Sequence, residues 1–262
     1  MMKQYLLALA LISFAEISLA RESRFEVFIA GYLPNINTQT RIDSRALNNG
    51  TTIDFENDFE LADSEFLPAI SLKYRASEKL NFELAYFDLS RSGEQRIEKN
   101  IQFGDETFEI NELLRSKFNV NIYRLSMEYN FPVSTKWELG AGGGFHVTRF
   151  EVALEAPSRD VKAGVDKTAP LPYVSLNASY AITSSWYVGS HLEVMSVEIG
   201  SIEGSLFNAY LGLEYLFSDA YSAGLAYNVY DLSAKSDSLT TDLEGKFEYH
   251  YAGPMLFVKA RF

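Results

Sequence analysis

The sequence predicts an all-β fold, a ten-stranded antiparallel transmembrane β-barrel with short periplasmic turns and long extracellular hairpin loops. One turn pattern occurs four times: an aromatic residue, a Ser or Thr three positions on, a large apolar residue three further, and another apolar residue two after that. The copies begin at Tyr74, Phe131, Tyr180 and Tyr215. Between them, apolar and polar residues alternate with the period of a β-strand. Aromatic content is 14% although mean hydropathy is only −0.09, so apolar residues are diluted by alternation.

The first twenty residues have the pattern of a cleaved signal peptide. Met1-Met2-Lys3 is a short basic start, an apolar run follows, and Ser18-Leu19-Ala20 supplies the small residues before a cleavage site. We therefore expect residues 1–20 to be removed and residues 21–262 to form one barrel domain. Cysteine is absent from the sequence, which excludes disulfides and thiolate chemistry.

The remaining chain contains no run of 18 apolar residues, which excludes a membrane-spanning helix. A closed barrel is the other structure that satisfies its backbone inside lipid. The net charge of −12 disfavours nucleic acid as a partner, because phosphate binding needs clustered Lys and Arg.

Turn chemistry and side-chain parity give ten strands. In chain order, they cover about Phe25–Tyr32, Phe66–Tyr74, Leu80–Tyr86, Tyr123–Phe131, Trp137–Val147, Val174–Tyr180, Trp186–Val194, Ala209–Tyr215, Tyr221–Tyr227 and Leu256–Phe262. The longer connections between them read as hairpins above the membrane, with turns at Asn48-Asn49-Gly50 and Phe103-Gly104-Asp105-Glu106.

The apolar set of each strand must face lipid, since a slip of one residue would carry charges into hydrocarbon. This parity also points the repeated aromatic residues outward at one membrane surface, where amphipathic rings settle. The predicted interface ring consists of Tyr74, Phe131, Trp137, Tyr180, Trp186, Tyr215, Tyr221 and Phe262.

The chain resembles the Gram-negative outer-membrane β-barrel proteins as a broad class. The signal ending Ser18-Leu19-Ala20, the alternation throughout and the closing strand with its terminal Ala260-Arg261-Phe262 carry the resemblance. It implies location in the cell outer membrane after export through the periplasm. It also implies contact with outer-membrane lipid and lipopolysaccharide, and recognition of the C-terminal strand by the barrel insertion machinery. Ten strands is also the number in the omptin surface proteases, but this sequence has no matching catalytic Asp-Asp and Asp-His pairs.

Charged residues with inward parity predict a lumen network of nearly balanced charge, because isolated buried ions are costly. Its members are Glu26, Lys73, Arg75, Glu83, Arg124, Glu128, Glu138, Glu193, Glu214, Lys259 and Arg261. If the turn pairs Phe131 with Trp137, Arg124 lies opposite Gly144 and Glu128 opposite Gly140. Barrel closure places Glu26 near Lys259 or Arg261. The network is read either as a structural plug or as the wall of a small polar pore.

His146, His191 and Glu193 also face inward and are weak candidates for catalysis, since a His beside a carboxylate can act as a general base. The turn register puts Ser175, a common hydroxyl without a motif, opposite His191. Ordinary hydrogen bonding in the lumen is the other interpretation. We place His250 on the lipid side near the outer rim.

Asp54, Glu56, Asp58 and Glu60 alternate along the first loop. On one strand face, their oxygens are weak candidates for a divalent-ion site; a solvated acidic loop is the alternative. No metal and no cofactor is predicted.

The leading functional hypothesis is a non-enzymatic surface, structural or interaction protein with a largely charge-filled lumen and, at most, minor passage of small solutes. The alternative is an outer-membrane hydrolase acting on lipid or peptide at the extracellular rim. Conductance in planar bilayers separates a pore from a plug.

Overall fold

The computed structural model describes residues 23–44, 46, 49–237 and 243–262. The predicted signal peptide and Asn48 of the predicted first-loop turn lie outside these residues. The described elements are β1 Phe25–Tyr32, β2 Asn35–Ser44, β3 Thr52–Asp54, α1 Phe55–Phe59, β4 Leu67–Arg75, β5 Leu80–Arg96, β6 Ile101–Phe103, β7 Glu106–Phe108, β8 Leu113–Pro132, β9 Trp137–Ala156, β10 Val161–Ala181, β11 Trp186–Ile199, β12 Ile202–Leu216, β13 Tyr221–Ser236 and β14 Leu243–Arg261.

The strands close into a ten-stranded antiparallel barrel, as predicted. The first barrel strand consists of β1 and β2, which both pair with β14, and β4, β5 and β8 to β14 supply the others. β1 also pairs with β4. The backbones of Phe25 and Phe262 exchange two hydrogen bonds of 2.9 Å at the seam, so the C-terminal residue takes part in closure.

The four repeated turns share one hydrogen-bond arrangement, which explains the Ser or Thr in the sequence pattern. In the turn after β8, the backbone N–H groups of Val133 and Ser134 both donate to the Trp137 carbonyl at 3.2 Å, and the Ser134 hydroxyl accepts the Trp137 N–H at 3.1 Å. Ser77, Thr183 and Ser218 accept the corresponding bond at 3.1 Å. The hydroxyl therefore satisfies a donor that a short turn would otherwise leave to water.

Each long strand reverses its sidedness part of the way along. On β8, the outward Tyr123, Leu125 and Met127 are more than half exposed and face lipid, whereas the inward Phe118 and Val120 are fully buried. Lys117 and Asn119, which point outward beyond Tyr123, are polar. β5, β9 and β14 reverse in the same way. The strands thus have an apolar outside within the membrane and an apolar inside above it.

The part above the membrane, which we call the extracellular head, comprises the described residues within 35–65, 88–121, 149–170, 196–205 and 231–250. Here the strands pair in two groups, β5 with β8 to β10 and β11 to β14 with β2 and β3, and we call these groups the two sheets of the head. Phe118 and Phe150 of β8 and β9 meet Phe247 of β14 at ring-centroid distances of 5.8 and 4.6 Å. The first loop fills one gap between the sheets, where Phe55 of α1 packs on Phe118 at 5.2 Å.

The other gap between the sheets lies between β10 and β11. Their ladder ends at the pair Val174–Val194, although β10 has 13 further residues up to Val161. Pro170 and Pro172 follow directly and remain paired with β9. Proline cannot donate to a ladder, so the two prolines end the pairing with β11 at the upper edge of the lipid-facing belt.

One loop prediction differs from the structure and one is confirmed. The connection between the predicted strands that end at Val147 and begin at Val174 is mostly strand, with only four residues between β9 and β10. The hairpin predicted around Gly104 is present as β6 and β7, and Gly104 has the positive φ of 59° that such a turn favours.

The acidic stretch of the first loop was expected on a strand face, and this is wrong. Asp54 caps the helix α1 by accepting the Asn57 N–H, and the buried Phe55 and Phe59 turn the helix towards the core. No helix among the described residues is long and apolar enough to span a membrane.

Candidate functional site

The centre of the lumen holds one fully buried carboxylate, Glu193. Its Oε1 lies 2.8 Å from Arg124 Nη1 and 2.8 Å from His191 Nε2. Its Oε2 accepts from Asn208 Nδ2 at 2.8 Å and lies 3.2 Å from His146 Nε2. Four polar groups thus surround a charge that no water reaches, which is the condition for keeping an ion in a protein interior.

Arg124 links this carboxylate to a second one. Its Nη2 donates to Glu83, and Lys73 Nζ lies 3.7 Å from the other oxygen of Glu83. Asn177 extends the network by contacting both His191 and Glu128. Positive and negative side chains therefore alternate through the central lumen.

A second network lies towards the periplasmic turns. Glu214 accepts from Lys259 at 2.6 Å, Arg261 at 2.7 Å and Ser222 at 2.6 Å. Arg261 also donates to Glu26 at 2.8 Å, so of the two partners expected from barrel closure, Lys259 or Arg261, the structure brings Arg261 to Glu26.

Two further predicted lumen residues lie near the periplasmic mouth, and both are exposed. Arg75 is 3.7 Å from Glu26. Glu138 accepts from Asn130 at 2.6 Å. The eleven predicted lumen residues thus divide into a central group around Glu193, a group around Glu214, and these two at the mouth.

The predicted cross-strand partners are wrong by two residues. Arg124 lies opposite His146 and Glu128 opposite Gly142. The reason is the turn, because Val133 bonds to Trp137 and shifts Phe131 opposite Leu139.

The same shift occurs in the next hairpin. Asn177 lies opposite His191, and Ser175 lies opposite Glu193. A shift of two keeps every side chain on its predicted face, which is why the inward residues still meet.

The predicted interface aromatics all lie on the outward face at the periplasmic end. Neighbouring strands bring several into contact: Trp137 with Tyr180 and Trp186 with Tyr215, each at 4.8 Å, and Phe25 with Tyr74 at 5.1 Å. The remaining members are Phe131, Tyr221 and Phe262, which are 48%, 48% and 66% exposed. His250 is also outward and exposed, and it lies 3.3 Å from Asp231 in the head rather than against lipid.

The four carboxylates of the first loop have separate partners. Glu56 pairs with Arg91, Asp58 with Lys99 at 2.8 Å, and Glu60 with Gln95 at 2.9 Å. Within the described part of the chain, no group of three or more His, Asp or Glu is placed to hold a metal. Through these contacts, the acidic side chains fix the first loop to the barrel wall.

A layer of buried tyrosines, which was not among the predictions from the sequence, lies above the charged network in the lumen. Tyr230 stacks on Tyr251 at 4.6 Å, and Tyr32 packs edge-on against Tyr251 at 5.3 Å. Above them, the core of the head is continuous and apolar. The alternation pattern contains a signal for this layer, because the three tyrosines have inward parity. They lie in segments that the sequence analysis assigns to membrane strand ends or loops.

Arg91, also missed, pins the first loop inside the head. It is 4% exposed, pairs with Glu56, donates to Thr38 Oγ1 at 2.5 Å and lies over the Phe118 ring at 5.1 Å. A buried Arg with these partners orders the loop that fills the barrel mouth.

Between the tyrosine layer and the Glu214 network lies a cavity of about 210 Å³. Its lining includes polar side chains, among them Lys73, Arg124 and Asn177, and apolar ones, among them Phe28 and Met255.

Comparison with known proteins adds to this geometry. No protein-family model matches the chain, and no curated protein matches it. Among solved structures, the outer-membrane protease OmpT from Escherichia coli matches 93% of this chain and 100% of its own, with a TM-score of 0.57 and 10% identity. The translocator domain of the autotransporter NalP from Neisseria meningitidis matches 92% and 90%, with a TM-score of 0.51 and 13% identity.

The closed barrel, its lipid-facing belt and these neighbours define the class: the chain is an outer-membrane β-barrel protein of the cell outer membrane. At such low identities the likeness concerns the fold, and the activities of the neighbours are theirs alone.

Proposed function

We propose that the protein is a closed, non-enzymatic barrel that anchors a folded extracellular head for a structural or interaction role at the cell surface. The observation that carries the proposal is the apolar core of the head, which continues across the barrel mouth. Phe55, Phe59, Phe103 and Phe108 from the two long loops are all at most 2% exposed within it.

The charge of the head supports an interaction role. The described residues of its five segments include 24 acidic and 12 basic ones, a balance of −12, while the other described residues balance at eight against eight. The net charge of the protein is therefore displayed outside the membrane, where it favours cationic partners.

Conductance in planar bilayers tests the proposal. The folded protein should give no stable open-channel currents, and the variant Arg91→Met should be compared because it releases the first loop without changing the outer surface. Steady currents from the unmodified protein would refute the closed barrel. Currents from the variant alone would identify the first loop as the closing element.

The hydrolase alternative is not proposed, because its candidates lie below the core of the head. His146 is 3% exposed and Glu193 is fully buried, so the described residues of the head lie between a substrate at the external rim and these side chains. Assays of lipid A and peptide cleavage with His191→Ala and Glu193→Gln check this. Cleavage by the unmodified protein that is lost in both variants would restore the alternative.

A further inference from the structure

The lumen cavity has a mixed lining and a defined size. Its volume of about 210 Å³ exceeds the roughly 150 Å³ of an engineered cavity that accepts benzene. One six-membered ring with a substituent of two or three atoms therefore fills it. Its apolar lining residues, which include Phe28, Phe87, Ile122 and Met255, suit such a ring.

The lining of the cavity includes the ammonium group of Lys73, for which the described part of the chain supplies no hydrogen-bond acceptor. Among the described residues, the nearest carboxylate to Lys73 Nζ is that of Glu83 at 3.7 Å, which is beyond hydrogen-bond reach. The Lys73 side chain is 25% exposed and lines the cavity. It thus offers donors to an acceptor oxygen of a bound molecule.

The charge of the wall selects against ions. Three carboxylates, Glu26, Glu83 and Glu128, line the cavity with three basic groups, Lys73, Arg124 and Lys259. These six charges already neutralise one another, so the charge of an ionic ligand would have no unmatched opposite charge in the cavity. An anion would also lie beside three carboxylates, and like charges at short distance repel.

We infer that the cavity is a binding site for small, uncharged amphipathic molecules, with a hydrocarbon or aromatic body against its apolar side chains and an acceptor oxygen at Lys73. This goes beyond the proposed function, since a closed barrel with a surface role needs no ligand in its lumen.

Fluorine NMR on the full barrel in lipid nanodiscs tests the inference with three matched probes. 4-Fluoroacetophenone has a ring and a neutral acceptor, fluorobenzene lacks the acceptor, and 4-fluorobenzoate carries a charge. Empty nanodiscs give the partition into lipid. The unmodified protein should bind 4-fluoroacetophenone tightest, above the lipid baseline.

Two variants and one control assign the binding to the cavity. Ala85→Phe fills the space, because Ala85 lines the cavity opposite Arg124, and should remove binding of all three probes. Lys73→Met should weaken 4-fluoroacetophenone about tenfold, the effect of one hydrogen bond to a charged group, and leave fluorobenzene unchanged. Leu84→Phe, on the lipid face, should behave as the unmodified protein.

The heat-dependent gel mobility of each variant verifies folding. Binding that survives Ala85→Phe in a folded barrel would overturn the inference. So would tightest binding of 4-fluorobenzoate, or no binding of any probe above the lipid baseline. Open-channel currents would contradict the proposed function and leave this result unaffected, so the two failures are distinguishable.

Discussion

Removing Arg124 should destabilise the barrel more than any other single change in the lumen. The Arg124 guanidinium contacts both Glu193, at 2.8 Å, and Glu83. Glu83 still has Lys73 at 3.7 Å, and its side chain is 16% exposed. Losing the ion pair with Arg124 therefore costs Glu83 only a moderate amount of stabilisation. Glu193 is fully buried and, without Arg124, has neither an arginine nor a lysine within hydrogen-bond distance among the described residues, only Asn208, His146 and His191. The loss of charge compensation at Glu193 therefore dominates.

The expected cost of Arg124→Met follows from that burial. Breaking a buried ion pair by removing one partner costs about 3–5 kcal/mol, whereas replacing both partners by apolar groups is often neutral. Arg124→Met should therefore lower the free energy of unfolding by about 3–5 kcal/mol. The double variant with Glu193→Met should recover at least about 1 kcal/mol of this loss.

Reversible unfolding in urea, in detergent micelles, measures these values. The two tryptophans, Trp137 and Trp186, lie on the lipid-facing rim and report the transition by fluorescence. Leu125→Met, on the neighbouring outward position, is the control for a change that touches no ion. A loss below about 1 kcal/mol for Arg124→Met, or a double variant less stable than the single one, would refute the reasoning.

Three smaller predictions concern the turns, the head and the gap between its sheets. Ser134→Ala should cost about 0.5–1.5 kcal/mol in unfolding free energy, because the Trp137 N–H loses its acceptor. Hydrogen bonds from Arg159 lower the pKa of Glu112 from 4.5 to about 2. The stability from this pair is complete above pH 4.5 and lost as the pH falls towards 2, so hydrogen-exchange protection at the tip of β9 and β10 should fall in that window. Pro172→Thr should extend the β10–β11 ladder and raise exchange protection at the upper end of β11.

Matched controls separate these effects from general damage. Thr135→Ala, in the same turn as Ser134, should leave the unfolding free energy unchanged. Glu112→Gln should remove the pH dependence between 4.5 and 2, and persistence of that dependence would assign it to another group. Pro157→Thr, between β9 and β10, should leave the β11 protection unchanged, and an equal gain from both proline variants would exclude a local ladder effect.

Much of the barrel could be predicted from parity alone. Strand number, closure through Glu26 and Arg261, and the outward position of the rim aromatics all follow from which residues alternate. The pairing register of neighbouring strands could not be predicted, because a shift of two residues leaves every side chain on the same face of the sheet. The hydroxyl-capped turn at Ser134 sets that shift, and its hydrogen bonds depend on three-dimensional geometry that a sequence pattern does not contain.

The buried centre was only half predictable for a related reason. Charged residues such as Arg124 and Glu193 stand out in a list of inward positions, because an ion inside a barrel needs a partner. Asn177 and Asn208 do not, since an amide is unremarkable until its neighbours are known. The strand register, which the sequence did not determine, brings those amides to the ions.

The extracellular head was not predicted, because the rule that apolar side chains face outward holds in lipid and was also used for the strand segments that lie in water. In lipid, apolar side chains belong outside the barrel, and in water they belong inside. β8 changes from the first arrangement to the second between Tyr123 and Ile122, and β9 changes beyond Val147. A strand that kept one parity would have to expose either charges to lipid or an apolar face to water. The position of the reversal therefore marks the outer membrane boundary on each strand, and the described residues beyond it have the apolar inside and polar outside of a structure surrounded by water.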